Sequence, residues 1–143
     1  VDADLVDNDC DGVIDTSEWA VGDLIITEIM VNPGNSVDAD GEWFEVYNAS
    51  GHELLLNGLV ISSSTDADWH QVVSDTPIAV DAGEFAILGS NDNMAVNGGG
   101  VEDYVYSQIS FSNESDSLIL EAGGVTVSDE VAITIDVELI RKP

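Results

Sequence analysis

The sequence predicts an all-β protein, and three features of its pattern indicate this fold class. From Gly22 onward, short segments of apolar or alternating residues recur along the chain, and Gly, Asn, Asp, Ser and Pro separate them. No segment has a sustained helical period. Parallel strands need long, usually helical crossovers, so these short connections favour an antiparallel β-sandwich.

Ten strands are predicted, each a run of apolar or alternating residues between turn signals. In chain order they fall at residues 23–31, 42–48, 54–56, 59–63, 70–73, 84–88, 104–106, 117–120, 124–127 and 131–140. The sequences Asn-Pro-Gly at 32–34, Asn-Gly at 57–58 and Ala-Gly at 82–83 mark turns between them. The glycine-rich run at residues 97–100 is too flexible for a strand interior and predicts a loop.

Length and charge limit the functions open to the chain. Its 143 residues fit one domain with a short appendage, and 44% hydrophobic residues suffice for one core. The 29 acidic and 2 basic residues give a net charge of −27, which excludes nucleic acid as a partner and disfavours an anionic membrane surface. The longest apolar run, residues 85–88, is far shorter than the roughly 18 residues of a membrane span.

A calcium-binding loop is predicted at residues 7–18, which read Asp-Asn-Asp-Cys-Asp-Gly-Val-Ile-Asp-Thr-Ser-Glu. Carboxylates at alternate positions suit a hard cation that seeks six to eight oxygens, and Gly12 supplies the sharp turn. The predicted ligands are Asp7, Asp9, Asp11, Val13 through its carbonyl, Asp15, and Glu18 as the bidentate twelfth residue. The alternative is an acidic disordered tail, in which a correctly spaced glycine and final glutamate would be rare.

The residues flanking this loop predict a single calcium clip rather than a paired EF-hand. Six residues precede it, too few for a full entering helix, and a strand follows closely. We therefore expect an EF-hand-like calcium segment at residues 1–21, with Trp19 packing the loop onto the body of the protein. The loop also resembles the metal-binding repeats of secreted bacterial proteins. In those repeats a second cysteine usually lies seven residues before the one in the loop; here that position is Ala3, which leaves Cys10 without the usual partner.

Three stretches of the body carry a second resemblance. They read GDLIITEIMVNP at residues 22–33, GEWFEVYNASG at 41–51 and LNGLVI at 56–61. In this order they resemble the opening strands of the lamin-tail domain, and residues 82–88 and 111–120 fit its later strands. The resemblance covers about residues 22–132, and it implies an immunoglobulin-like β-sandwich over residues 22–143 with a binding or structural role. The family is not itself catalytic, so the resemblance implies that the chain is not an enzyme.

Two glutamates beside aromatic residues are candidates for a catalytic site. Glu42 and Glu45 lie beside Trp43 and Tyr47, which suggests a glycosidase pair with a sugar platform, but alternation puts the two carboxylates on opposite faces of the strand. We expect a structural role for them, with Trp43 or Phe44 filling the core.

Other candidate residues favour structural or surface roles. His52 and His70 have no companions for a zinc site or a catalytic triad and are expected at the surface. Asp38, Asp40 and Glu42 offer a weak second calcium site, with a solvated acidic turn as the alternative. Asn48 and Asn113 lie in possible glycosylation motifs.

Together these features indicate a secreted, calcium-stabilised, non-enzymatic structural module at the cell surface or outside the cell. We expect a subunit of a filament, sheath or surface layer; the alternative is a carbohydrate- or protein-binding accessory domain of a larger extracellular enzyme. The long alternating strand from Val131 onward ends at Arg141 and Lys142, the two basic residues of the chain. We expect residues 131–142 to pair with a neighbouring copy by strand addition, giving a homo-oligomer or filament; the alternative is a last strand that closes its own sheet.

Overall fold

The computed structural model describes residues 19–34, 36–63, 68–128 and 131–134, and these form an all-β protein. The all-β prediction is therefore confirmed. The elements in chain order are β1 (Leu24–Met30), α1 (Asp38–Gly41), β2 (Trp43–Asn48), β3 (Leu54–Leu55), β4 (Val60–Ser63), β5 (Trp69–Gln71), β6 (Ala79–Val80), β7 (Phe85–Gly89), β8 (Tyr104–Val105), β9 (Ser115–Ala122), β10 (Val125–Thr126) and β11 (Val131–Thr134).

The strands form two main sheets and one small ladder. Sheet A has the strand order β1-β2-β7-β8. Sheet B has the order β10-β9-β4-β5, with β11 also pairing with β9. The third element is a two-stranded ladder of β3 and β6.

One hydrophobic core receives side chains from both main sheets. Alternation along β2 turns Phe44, Val46 and Asn48 inward, and Phe44 and Val46 are fully buried. From sheet B, Ile61 and Leu120 join the same cluster. Burying one large apolar side chain contributes about 1.5–3 kcal/mol, so this shared cluster is the main force that holds the sheets together.

The structure differs from the predicted strand pattern in three places. The short strand β6 and the single helical turn α1 were not predicted. Strand β8 pairs in parallel with β7, whereas every other described strand pair is antiparallel, as predicted. The connection from Gly89 to Tyr104 is long enough to return the chain to the same end of the sheet, which a parallel pair requires.

The turn predicted at Asn57-Gly58 is present and holds neighbouring segments together. Gly58 has a φ of 87°, a left-handed conformation that glycine adopts without steric cost. The side chain of Asn57 accepts the Ile78 N–H at 2.8 Å and donates to the Ser74 carbonyl at 3.1 Å. The turn therefore fixes the segment that enters β6.

Strand β11 belongs to the chain's own sheet. Its residues pair with β9 in an antiparallel register that runs from Val131 opposite Leu118 to Thr134 opposite Ser115. Residues 131–134 thus form the last strand of their own sheet, as the alternative reading expected, and pairing of residues 131–142 with a neighbouring copy stays a prediction. Residues 135–142 lie outside the described part of the chain.

Candidate functional site

The six predicted calcium ligands, Asp7, Asp9, Asp11, Val13, Asp15 and Glu18, lie outside the described residues. The residue that follows them, Trp19, is partly buried and packs against the core, while the loop that it was expected to hold lies outside the described residues. Three residues later, the Gly22 N–H donates to the Val127 carbonyl at 3.0 Å. The first described residues are thus fixed to the sandwich by an aromatic contact and a backbone hydrogen bond.

Of the second calcium site suggested at Asp38, Asp40 and Glu42, the two residues whose side chains the structure describes have other partners. Asp40 accepts a hydrogen bond from the side-chain amide of Asn91 at 3.0 Å. Glu42, in contrast, is only 1% exposed and points into the protein. Within the described ranges, no group of three or more His, Cys, Asp or Glu residues is placed to hold a metal ion.

Glu42, just before β2, and Glu45, within β2, lie on opposite faces, as alternation predicted. The Glu42 carboxylate accepts the buried Phe111 N–H, with both oxygens at 3.2 Å, and the Ser110 hydroxyl at 3.3 Å. Glu45 lies on the outer side of the sheet, where the Thr27 hydroxyl donates to its Oε1 at 2.7 Å. The pair cannot act on one glycosidic bond, and Glu42 has a structural role.

His70 joins the edges of the two sheets, while His52 is exposed as expected. His70 lies on β5, and its Nε2 is 2.8 Å from the hydroxyl of Tyr104 on β8. On its other side, the Ser107 N–H donates to Nδ1 at 3.4 Å. Burial lowers the pKa of His70, so the imidazole is neutral at pH 7. The prediction of a surface histidine is wrong here, because His70 is half-buried in an inter-sheet contact.

Asn48 is fully buried, so the first predicted glycosylation motif is not accessible in the folded protein. Its amide donates to the carbonyls of His52 at 2.7 Å and Val80 at 2.8 Å, and its oxygen accepts the Ser50 N–H at 2.9 Å. Asn113, the second candidate, is partly buried. Asn48 is therefore a structural residue that ties the β2–β3 turn to β6.

A surface that the sequence did not predict lies on the outer side of sheet A. We name it the aromatic face, and it consists of three rows that follow the strand register. The rows are Ile25, Tyr47 and Phe85; Glu28, Glu45 and Ile87; and Met30 with Trp43.

The aromatic face is an accessible apolar surface with acidic groups at its centre. Phe85 is 52% exposed and Ile25 is 47% exposed. The rings of Tyr47 and Phe85 are 5.0 Å apart and tilted by 49°. The Glu28 and Glu45 side chains lie between this row and Trp43. Alternation of Trp43, Glu45 and Tyr47 could have indicated the face, but the contributions of Ile25 and Phe85 depend on strand register.

No helix in the described residues is long and apolar enough to cross a membrane. In the described part of the chain, the feature that the structure presents for binding is the aromatic face of sheet A.

Comparison with known proteins identifies the family. No curated protein matches the chain significantly. The family model of the lamin tail domain matches residues 17–134, which is most of the chain and includes every described strand. This family is an immunoglobulin-like, non-catalytic domain, in agreement with the all-β structure. The chain belongs to the lamin tail domain family.

Proposed function

We propose that this protein is a secreted, calcium-stabilised structural module and a subunit of an extracellular filament, sheath or surface layer. The observation that supports the proposal most directly is the twelve-residue calcium pattern at residues 7–18, which directly precedes Trp19. Since Trp19 packs on the core, an ion that orders the loop would also stabilise the sandwich. The non-catalytic family agrees with a structural role.

The acidic composition also supports a calcium-rich extracellular setting. A net charge of −27 on a small domain causes self-repulsion that bound divalent cations reduce. Calcium loops of extracellular modules commonly have dissociation constants of about 10⁻⁴–10⁻³ M, which matches calcium outside cells rather than inside them. The site would thus be occupied after secretion.

Assembly would use the residues that follow β11. The sequence continues with alternating apolar residues up to Arg141 and Lys142, on a chain that otherwise carries only acidic charges. Opposite charges attract these residues to the surface of any neighbouring copy. A head-to-tail contact of this type propagates into a filament unless its rotation closes a ring.

Thermal melting with calcium and with chelator tests the calcium part of the proposal. At calcium 100-fold above the dissociation constant, the unfolding free energy should rise by about 2.7 kcal/mol, seen as a higher melting temperature. Asp9→Ala should remove most of this gain, because it deletes one predicted ligand. The exposed Asp75→Ala variant is the matched control and should respond to calcium like the wild type.

The calcium proposal fails if the wild-type melting temperature is the same with calcium and with chelator. Electron microscopy of the native assembly, with and without calcium, tests the structural role separately. Filaments or sheets that contain this chain are the expected result, and a chain that remains monomeric at high concentration with calcium contradicts assembly.

A further inference from the structure

The chemistry of the aromatic face specifies the kind of partner that it accepts. Its apolar side chains flank the carboxylates of Glu28 and Glu45, and the described residues contain no lysine or arginine to neutralise these two acids. An occupant must therefore present apolar groups together with positive charge.

A face-to-face pair of identical aromatic faces does not meet this requirement. A two-fold contact would bring the acidic rows of both copies together, and each Glu45 would be desolvated beside further carboxylates. Buried like charges are costly, so the partner of this face is a different surface. The contact is consequently heterologous, as head-to-tail assembly requires.

One segment of the same sequence has the required chemistry. Leu139 and Ile140 are followed directly by Arg141 and Lys142, which are the two basic residues of the chain. We propose that the aromatic face of one copy binds the segment 139–142 of a second copy. The inference rests on the proposed structural function, and it adds that the aromatic face is the surface to which the segment binds.

The side chains of the face provide a place for each part of this segment. The Thr27 hydroxyl holds Glu45 at 2.7 Å, which orients the carboxylate for a charge-assisted hydrogen bond from a guanidinium group. Tyr47 and Phe85 lie in the adjacent row, where the ring faces favour a cation and the ring edges contact apolar groups. Strand addition along β1 is less favourable, because the register of β1 shifts between Ile26 and Glu28.

The direction of β11 favours a second copy over the chain's own segment. Thr134 lies opposite Ser115 at the start of β9. This is the end of the sandwich where Phe111 contacts Glu42, next to the start of β2. Tyr47 lies about 13 Å farther along β2, at the other end of the sheet. Strand β11 therefore runs away from the Tyr47–Phe85 row, and an intramolecular contact would require the chain to reverse.

Fluorescence anisotropy tests the proposal with the full-length protein and a labelled peptide of residues 135–143. Saturable binding is expected at low salt, and it should weaken at least tenfold in 0.5 M NaCl. The double variant Glu28→Gln and Glu45→Gln should weaken binding at least fivefold without changing the shape of the face. Tyr47→Ala with Phe85→Ala should weaken it at least tenfold. A peptide with Arg141→Glu and Lys142→Glu should not bind.

Matched substitutions on the outer side of sheet B provide the control. Trp69 is 60% exposed on β5, and Glu121 lies on β9. Trp69→Ala with Glu121→Gln should leave peptide affinity unchanged, since this variant removes an aromatic ring and a carboxylate from a different face. Equal affinity in the wild type and the Glu28/Glu45 variant would overturn the proposal. So would binding of a neutral polysaccharide that depends on Tyr47, without any binding of the peptide.

Sedimentation equilibrium of the full-length variants separates this inference from the proposed function. Concentration-dependent association that disappears in the Tyr47/Phe85 variant supports both. Association that persists in this variant shows that the aromatic face is not the binding surface, but it does not contradict the proposed structural function. Association that disappears in this variant but stops at a small closed oligomer contradicts the proposed filament, sheath or layer and leaves the surface assignment intact. A wild type that does not associate at any concentration contradicts both.

Discussion

At the scale of single residues, buried polar side chains fix the loops of this sandwich. Glu42, Asn48 and Asp116 are each at least 95% buried, and each accepts at least one backbone N–H. A buried N–H without an acceptor costs about 1–3 kcal/mol. These side chains therefore set the course of segments that have no ladder hydrogen bonds of their own.

Substitution of Glu42 should be strongly destabilising. Glu42→Ala removes the acceptor of the buried Phe111 N–H, and we expect a loss of about 2–4 kcal/mol in unfolding free energy. Glu42→Gln keeps one acceptor oxygen and should lose less. Urea denaturation measures both, and the exposed Glu53→Ala should stay within about 0.5 kcal/mol of wild type. A Glu42→Ala variant as stable as Glu53→Ala would contradict this role.

Sequence alone could predict part of this residue-scale structure. Alternation along one strand was enough to place Glu42 and Glu45 on opposite faces. The sequence could not predict that Asn48 is buried, because the partners of its side chain include the carbonyl of Val80, 32 residues away. A glycosylation motif describes three adjacent residues and carries no information on such a contact.

At the scale of elements, the His70–Tyr104 contact joins β5 to β8 at one edge of the sandwich. The Tyr104 hydroxyl also accepts the Val73 N–H at 3.1 Å, so one side chain of sheet A contacts two residues near the edge of sheet B. This contact uses the neutral imidazole, since the Ser107 N–H points at Nδ1. Protonation of Nδ1 would oppose that hydrogen bond.

This geometry predicts that acid weakens the sandwich through His70. Burial lowers the pKa of His70 in the folded protein below its ordinary value near 6.5. The contribution of the neutral His70 to the unfolding free energy is therefore fully present above about pH 6.5. It is lost as the pH falls through the pKa of His70 in the folded protein. We therefore compare the unfolding free energy from urea denaturation at pH 8 and pH 5, at constant calcium. It should fall more between these pH values for the wild type than for His70→Gln.

The exposed His52 supplies the control for this pH dependence. His52→Gln should lose as much stability between pH 8 and pH 5 as the wild type does, because its ring makes no inter-sheet contact in the described structure. If the unfolding free energy of the wild type and of His70→Gln fell by the same amount, carboxylates alone would cause the acid sensitivity.

The limits of sequence-based prediction differ between elements. Most strands were predicted because their apolar alternation is local. Strand β6 was missed because it has only two residues, Ala79 and Val80, too few for a periodic pattern. The parallel pairing of β8 was missed because strand direction depends on the path of the connection from Gly89 to Tyr104, and periodicity does not encode that path.

At the scale of the whole molecule, the aromatic face shows what strand register adds to a sequence. Trp43 and Tyr47 are visible in the sequence as aromatic residues of one strand. Their combination with Ile25 and Phe85 arises because β1 and β7 pair on either side of β2 in a fixed register. A shift of one residue in either pairing would turn these side chains into the core, so no single segment could reveal the surface.

The net charge of −27 predicts a salt-dependent fold. The described residues carry no lysine or arginine, so repulsion among their carboxylates is not offset within the sandwich. The Debye length falls from about 30 Å at 0.01 M to about 3 Å at 1 M salt, which shortens the range of this repulsion from the whole molecule to nearest neighbours. Raising NaCl over this range at constant calcium should stabilise the protein by about 1–2 kcal/mol, or several degrees in melting temperature.

A variant with fewer negative charges tests the same repulsion. Glu53→Gln, Asp75→Asn and Asp81→Asn, all at exposed positions, should together raise the melting temperature above that of the wild type at 0.01 M NaCl and reduce the further rise caused by salt. Equal melting temperatures of the wild type at both salt concentrations would show that charge repulsion does not limit its stability.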